Sequence, residues 1–143
     1  MSECPICLKH AENQDAIYET DGWVIHSGPF ESHLLGYLYI EPKRHVENWS
    51  DFTEKDLLEI GPLFKKCEIA LQEVLEVDRV YTMTISEAVR HLHFHIIPRE
   101  KEQTVTGLPL MKQVTQQNEI YTDKVAGLEE WERFIKKIKQ YFN

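Results

Sequence analysis

The feature of this sequence that most constrains its fold is a run in which three histidines alternate with apolar residues. His91, His93 and His95 are each separated by one apolar residue, and two isoleucines follow before Pro98. A period of two predicts a β-strand, whose successive side chains point to opposite faces of a sheet. The three imidazoles are therefore expected in one row, with neighbouring rings ~6.5–7 Å apart. A row of groups that titrate near neutral pH suits proton transfer or nucleophilic attack better than it suits a merely solvated face.

Charge and length limit the class of protein. The chain has 143 residues and a formal net charge of −8, which argues against a broad contact with nucleic acid, since that needs a basic surface. No apolar run approaches the ~20 residues that cross a bilayer. The segment from Met1 to Pro5 carries no charged-then-apolar signal, so a cytoplasmic protein is expected. With no repeat and no break in composition, one domain over residues 1–143 is predicted.

Two cysteines near the start of the chain, Cys4 and Cys7, form a C-x-x-C pair. A redox pair with this spacing normally follows a strand and opens a helix, and no strand is predicted before it. Two thiolates at this spacing supply half of a tetrahedral zinc site, so zinc ligation is favoured over redox chemistry and over two incidental thiols. Cys67 falls on the apolar stripe of a predicted helix and is expected to be a buried thiol.

The remaining pattern alternates strands with helices. Runs rich in β-branched and aromatic residues predict strands over 16–20, 23–27, 36–41 and 79–86. A helix is predicted from Thr53 along a stripe spaced by three and four that includes Leu57 and Phe64, with a kink at Gly61-Pro62. A short helical piece is predicted over 110–116 and a terminal helix over 129–141. His45 follows the third strand in a loop, where ligands commonly lie.

His-x-His-x-His followed by two apolar residues, in a chain of this length and element order, resembles the histidine triad (HIT) family. Within that family the chain is similar to the zinc-binding C-x-x-C proteins related to dinucleoside polyphosphate hydrolases. The resemblance covers about residues 4–99 and rests on segments 4–7, 39–46 and 91–99. It implies an α+β fold, a mainly antiparallel five-stranded sheet with a long helix packed on it. It also implies a homodimer, and residues 100–143 would add a C-terminal loop and helix.

The resemblance implies a nucleotidyl hydrolase or transferase. His93 would attack the α-phosphorus of a nucleotide and form a covalent intermediate that water then cleaves. His95 would contact the phosphate or the leaving group. The resemblance further implies a closed zinc site of structural type, formed by Cys4, Cys7, His45 and His91. His10 is an alternative to His45 as the third ligand.

The sequence departs from the family pattern around the nucleotide pocket. The family commonly has Gly-Gln-Ser/Thr-Val before the triad, whereas residues 86–89 here read Ser-Glu-Ala-Val. Glu87 would repel a phosphate unless it is paired, for example with Arg90. Ser27 stands nearest the place where an acidic or amide residue holds a ribose, and Arg99 is a further candidate phosphate contact.

Three functions follow from these patterns. The leading hypothesis is a hydrolase of nucleotide phosphoanhydrides or phosphoramidates, such as dinucleoside polyphosphates, acting through His93. The second is a catalytically weak or inactive nucleotide-binding dimer, suggested by Glu87 and Ala88. The third is a metalloenzyme whose three triad histidines bind a catalytic metal. His26 is expected to be packed or hydrogen-bonded, and His33 to be solvated.

Overall fold

The computed structural model describes residues 4–12, 16–116 and 126–142, which contain five strands and four α-helices. The strands are β1 (Ala16–Glu19), β2 (Trp23–Ser27), β3 (Leu38–Pro42), β4 (Val77–Met83) and β5 (Phe94–Glu100). The helices are α1 (Pro5–Glu12), α2 (Glu54–Val74), α3 (Gly107–Gln116) and α4 (Leu128–Phe142). None of the helices in this part of the chain is both long and apolar enough to cross a membrane.

The five strands form one antiparallel sheet in the order β1-β2-β3-β5-β4. Residues paired directly across antiparallel strands place their side chains on the same face. Tyr39 pairs with both His26 and His95, and His95 pairs in turn with Met83. We call the face that carries these side chains the triad face, and the opposite face the helix face. The predicted α+β fold with a five-stranded antiparallel sheet is confirmed.

The helix face is covered by α2 and α4 and holds the larger hydrophobic core. Fully burying one such aliphatic or aromatic side chain contributes ~1.5–3 kcal/mol. The buried members of this core that come from the sheet are Trp23, Ile25, Leu38, Ile40, Phe94 and Ile96. Those that come from the two helices are Ile60, Leu63, Cys67, Ala70, Leu71, Phe134, Ile138 and Phe142. Cys67 is completely buried, as predicted, and burial raises the pKa of its thiol to about 12.

The long helix α2 begins where the sequence predicts, with Thr53 as its N-cap. The Thr53 hydroxyl accepts the Asp56 N–H at 3.1 Å, and the Asp56 carboxylate accepts the Thr53 N–H at 2.8 Å, a reciprocal capping box. The helix runs unbroken through Pro62, whose missing N–H removes one internal hydrogen bond. The predicted apolar stripe is wrong at Leu57, which is 45% exposed, while Leu63 faces the core instead.

A smaller core lies on the triad face, under α3. It contains the buried side chains of Leu34, Tyr37, Ile97, Leu110 and Val114. The helix that supplies the last two starts three residues earlier than the predicted piece over 110–116. This second core closes one end of the triad face and leaves the other end to polar side chains.

The histidine strand differs from its prediction at its beginning. β5 starts only at Phe94, and its pairing with β3 ends there, so residues 91–93 lie outside the sheet. The Leu92 N–H donates instead to the carbonyl of Val46 at 2.8 Å, which turns this segment onto the loop after β3. His91 and Leu92 are both buried, so the predicted alternation of faces does not extend back to His91.

Gly28, at the end of β2, provides a test of the close packing around Tyr37. A Cβ at Gly28 would lie 2.4 Å from Tyr37 Cδ2, and the buried ring has no space into which it can move. We expect Gly28→Ala to lower the free energy of unfolding by ~1–3 kcal/mol through overpacking, as measured by urea denaturation.

The matched control is Gly127→Ala, because nothing lies within 4 Å of a Cβ at Gly127. Gly127 directly precedes α4, where alanine caps a helix less well than glycine, so we expect a loss of only ~0.5–1 kcal/mol, smaller than that of Gly28→Ala. Equal losses in the two variants would contradict the packing described around Tyr37.

Candidate functional site

The orientation of His93 is set by the backbone beside it. Its Nδ1 lies 2.8 Å from the carbonyl oxygen of His91. A carbonyl oxygen only accepts hydrogen bonds, so Nδ1 carries the ring proton. In a neutral imidazole the other nitrogen, Nε2, then keeps its lone pair. His93 is half-buried, and this arrangement leaves it with a defined nucleophilic atom.

Two hydroxyl residues after β4 hold the backbone of His93. The Thr84 hydroxyl donates to the His93 carbonyl at 2.8 Å, and the Ser86 hydroxyl accepts the His93 N–H at 3.2 Å. Ser86 adopts a left-handed backbone conformation with φ of 51°, which is unusual for a residue other than glycine. Neither residue was singled out from the sequence, which predicted both inside a strand over 79–86. That strand ends at Met83 instead, so both hydroxyls lie in the loop that turns towards His93.

His95 lies beside His93 on the triad face, with ring centroids 5.1 Å apart. Its Nδ1 is 2.6 Å from the hydroxyl of Tyr37, which is completely buried. Burial raises the pKa of Tyr37 well above its usual range, so Tyr37 remains a phenol with a proton to donate. Burial, and the neighbouring His93, lower the pKa of His95 to about 4. His95 is therefore a neutral imidazole at neutral pH.

The proton of Tyr37 determines the tautomer of His95. The Tyr37 hydroxyl is also placed to donate to the Tyr39 hydroxyl at 3.3 Å, but it has only one proton. The 2.6 Å contact to His95 takes that proton, because this separation is typical of an O–H donor and is shorter than the ~2.7–3.2 Å of an N–H donor. His95 then carries its own proton on Nε2 and offers it as a hydrogen-bond donor. Neither tyrosine was singled out from the sequence.

The four residues predicted as zinc ligands are brought together at the other side of His93. His91 Nδ1 lies 3.5 Å from Sγ of both Cys4 and Cys7, and His45 Nδ1 lies 3.4 Å from Cys7 Sγ. His91 is completely buried, and its Nε2 donates to the carbonyl of Pro42 at 2.8 Å, which leaves Nδ1 with its lone pair facing the sulfurs. The ligand atoms of this group all lie within 4.8 Å of one another.

The spacing of these atoms fits tetrahedral zinc. Zn–S bonds of ~2.3 Å and Zn–N bonds of ~2.0–2.1 Å at tetrahedral angles separate sulfur from nitrogen by ~3.5–3.6 Å. The three sulfur–nitrogen distances are 3.4, 3.5 and 3.5 Å. Two thiolates and two imidazoles would fill all four positions, which is the composition of structural rather than catalytic zinc sites.

His10 joins a different group from the one considered in the sequence analysis. Its Nε2 lies 3.0 Å from Glu41 Oε1, while His45 contacts Cys7. His26 is buried, as predicted, and its Nδ1 lies 2.8 Å from the same carboxylate oxygen. Burial alone would raise the pKa of Glu41, but the hydrogen bonds from His10 and His26 hold it well below its usual range. Glu41 was missed, although a carboxylate between Ile40 and Pro42 in an apolar strand was a signal.

Two of the three residues suggested for substrate binding, Ser27 and Arg99, lie away from the triad. Ser27 pairs with Leu38, so its side chain belongs to the helix face, and its hydroxyl donates to the Gly28 carbonyl at 2.9 Å. Arg99 forms an ion pair with Asp78 and lies four residues beyond His95 along β5, ~13 Å away.

Glu87 is exposed and paired with Arg90 at 2.8 Å, so the pairing considered from the sequence is present. This ion pair balances the carboxylate that replaces the usual amide, though a pair so exposed to water contributes little to stability.

The triad histidines do not share one metal position. Within the described ranges, the groups of residues close enough to share an ion include His91 but neither His93 nor His95. The His91 ring is in edge contact with the ring of His45, with centroids 5.1 Å apart. The rings of His93 and His95 form a separate edge contact at the same distance. The third hypothesis, a catalytic metal held by the three histidines, is therefore not supported by the geometry. His33 is half-buried against the ring of Phe30, 5.9 Å between centroids, rather than solvated.

The sequence and its fold define the class of protein. Residues 10–102, well over half of the chain, match the HIT domain, so the chain belongs to the HIT domain family. Membership in this family supports a nucleotide-binding hydrolase or transferase activity in general terms. Among the curated proteins compared by sequence, none matches this chain significantly.

Solved structures share the fold at low identity. A hypothetical histidine triad nucleotide-binding protein from Sulfolobus tokodaii is 20% identical, with a TM-score of 0.70 over 97% of this chain and 91% of that chain. A zinc-bound histidine triad family protein from Mycobacterium smegmatis is 16% identical, with a TM-score of 0.69 over 99% and 94%. A uridylyltransferase is 15% identical, with a TM-score of 0.70 over 99% of this chain and 45% of that chain. These structural similarities show that this chain has the same fold as those proteins.

The depressed pKa of His95 makes a prediction about stability. The ordinary pKa is 6.5 and the value in the folded chain is about 4, so the unfolded chain binds more protons between these limits. The contribution of His95 to stability is present above pH 6.5 and is lost as the pH falls towards 4. We expect the free energy of unfolding of the wild type to fall by roughly 2 kcal/mol more than that of His95→Asn over this window, allowing for solvent screening.

Urea denaturation at a series of pH values measures this difference. His33→Asn is the control, and it should keep the wild-type dependence because His33 is remote from the triad. The same pH dependence in wild type and His95→Asn would contradict the neutral, buried state of His95.

The cysteine–histidine group makes a prediction about metal content. We expect cobalt added in place of zinc to give a thiolate-to-cobalt charge-transfer band in the wild type, because two sulfurs lie within bonding reach of one metal position. The band should disappear in Cys4→Ser/Cys7→Ser and remain in Cys67→Ala, whose sulfur is in the helix-face core. A band that survives loss of both N-terminal sulfurs would exclude this site.

Proposed function

We propose that the chain is a nucleotidyl hydrolase in which His93 is the nucleophile. The observation that carries the proposal is the 2.8 Å contact from His93 Nδ1 to the His91 carbonyl, which leaves the lone pair on Nε2. A neutral imidazole with its reactive nitrogen fixed in orientation needs no separate base before it attacks. The family match supports this assignment, since it favours nucleotide chemistry in general.

The proposed reaction has two displacements at phosphorus. In the first, the Nε2 lone pair of His93 forms a bond to the α-phosphorus while the bond from phosphorus to the leaving oxygen or nitrogen breaks. The leaving group departs with the bonding electrons and takes up a proton. In the second, a water oxygen bonds to phosphorus, the P–N bond to His93 breaks, and the water proton is released, giving a nucleoside monophosphate. Splitting one displacement into two lowers each barrier.

His95 is proposed to contact the phosphate or the leaving group. With Tyr37 donating to Nδ1, the Nε2–H of His95 is a hydrogen-bond donor on the same face as His93. A donor fixed before the reaction stabilises the negative charge that grows on the leaving atom, without the cost of reorganising solvent. Because the pKa of His95 is about 4, this donor stays uncharged at neutral pH.

The substrate is proposed to be a small nucleotide with a phosphoanhydride or phosphoramidate bond, such as a dinucleoside polyphosphate. A small substrate suits an acidic chain of net charge −8, which repels extended polyanions. Arg99 is engaged with Asp78, so it is not proposed as a phosphate ligand in this state of the protein. Glu87 and Arg90, as a neutralised pair, would border the pocket without repelling the phosphate as a bare carboxylate does.

Zinc, when bound, would supply rigidity. Cys4, Cys7, His45 and His91 would hold it, tying α1 and the loop after β3 to the segment that carries His93. Since all four positions would be filled by protein atoms, no open position remains for substrate.

Other expectations from the family resemblance stay predictions. These are the homodimer, the single domain over residues 1–143 and the cytoplasmic location. For the dimer, β4 is an edge strand of the sheet formed by the described residues, and such an edge is available to a second chain.

Rapid mixing followed by intact-protein mass spectrometry tests the proposal. We expect the wild type, mixed with a dinucleoside polyphosphate or with a nucleoside phosphoramidate, to gain transiently the mass of one nucleotidyl group. His93→Ala should show no adduct. Its hydrolysis rate should fall by at least a factor of ~10³, as expected when a covalent nucleophile is removed.

His33→Ala is the matched control, because it removes a histidine from outside the triad face, and it should form the adduct as the wild type does. An adduct that persists in His93→Ala would exclude His93 as nucleophile. Nucleotide binding that survives His93→Ala, with no turnover in either form, would favour the alternative of a catalytically inactive nucleotide-binding protein.

A further inference from the structure

A second group of potential ligands lies beside the cysteine–histidine group and takes no part in the chemistry proposed above. It consists of His10 on α1, His26 on β2 and Glu41 on β3. The three side chains converge from three different elements, and their ligand atoms lie within 4.8 Å of one another. Glu41 and His26 are almost completely buried, at 2% and 3% exposure.

Both imidazoles are directed at one oxygen of Glu41. His26 Nδ1 lies 2.8 Å and His10 Nε2 lies 3.0 Å from Oε1. A metal ion with six ligands at ~2.1 Å and right angles between them separates neighbouring ligand atoms by ~3.0 Å. The two nitrogen–oxygen distances match that spacing. They are shorter than the ~3.4 Å expected for nitrogen and oxygen on tetrahedral zinc.

The second oxygen of Glu41, Oε2, has a different neighbour from Oε1. Lys9 Nζ lies 3.7 Å from Oε2, and the lysine side chain is 36% exposed. Glu41 would therefore bind a metal through Oε1 alone, and the lysine would balance part of the charge of the other oxygen. A buried carboxylate requires nearby positive charge, and a divalent ion between the two rings and Oε1 would supply it directly.

Space for further ligands lies next to the two rings. A cavity of about 350 Å³ is lined by His10 and His26 together with Cys7, Glu19 and Lys43. Three protein ligands on one side of a six-coordinate ion leave the other positions open, here towards this cavity. Water would fit in those positions, and the cavity also carries the ion pair between Lys43 Nζ and Glu19 Oε1 at 3.2 Å.

We propose that His10, His26 and Glu41 form a second site for a divalent first-row transition metal of octahedral preference, such as Mn²⁺, Fe²⁺ or Co²⁺. Two imidazoles and one carboxylate on one face of an ion form an arrangement that favours these metals. The site is distinct from the cysteine–histidine group, although His10 and His91 are in edge contact with ring centroids 5.7 Å apart. It is also independent of whether His93 is a nucleophile.

Equilibrium dialysis of the zinc-treated protein against micromolar free Co²⁺ tests the proposal. We expect the wild type to retain about one Co²⁺ per chain, with weak d–d absorption and no thiolate-to-cobalt charge-transfer band. His10→Asn, His26→Asn and Glu41→Gln should each lower retention at least tenfold, whereas His33→Asn, a histidine outside the cluster, should retain as much as the wild type.

Two controls keep the result interpretable. The zinc content and the circular dichroism of each variant report whether it is folded, and His10, on the surface helix α1, supplies a variant that leaves the sheet intact. If the wild type retained no Co²⁺, hydrogen bonds from His10 and His26 alone would hold Glu41, and the proposal would be overturned. Retention that persists in all three ligand variants, or that appears with a thiolate band, would assign the ion elsewhere and would also overturn it.

Discussion

The interactions on the two sides of the His91 imidazole hold the rest of the site together. Its Nε2 donates to the Pro42 carbonyl at the end of β3, and its Nδ1 faces the sulfurs of Cys4 and Cys7. Its own backbone carbonyl accepts the proton of His93 Nδ1. One buried residue therefore connects the N-terminal helix, the end of a strand and the segment that carries His93. If His91 were displaced, the His93 imidazole would lose the carbonyl that holds its proton on Nδ1 and could exchange between its two neutral tautomers.

The two faces of the sheet differ in role: the helix face stabilises the fold, and the triad face carries the polar side chains of the site. The helix face is apolar and is covered by α2 and α4, so burial of hydrocarbon there stabilises the fold. The triad face carries buried polar groups, each with a partner: Tyr37 with His95, and Glu41 with His10 and His26. In surroundings of low polarity such contacts are strong, and a missing partner is costly. The polar face thus has fixed geometry, which is what the proposed reaction at phosphorus requires.

The residue pattern predicted the start of α2 at Thr53, and the family resemblance implied the antiparallel sheet and the four residues of the cysteine–histidine group. They were not enough to predict that His91 leaves the strand. That change depends on the hydrogen bond from Leu92 to Val46, a contact between segments far apart in the chain. Ser27 was misplaced for a related reason, because the face on which a strand residue lies depends on the pairing register. Tyr37 and Glu41 went unnoticed because each looks like an ordinary strand residue until its partner across the sheet is known.

The central claim is that the fold fixes the tautomers of the histidines before any substrate binds. Nitrogen-15 NMR of the histidine side chains tests it most directly, since protonated and bare ring nitrogens have well separated chemical shifts. We expect His93 to carry its proton on Nδ1, and His95 to carry its proton on Nε2 and to stay neutral down to about pH 4. A His93 ring protonated on Nε2, or one exchanging freely between both forms at neutral pH, would contradict it.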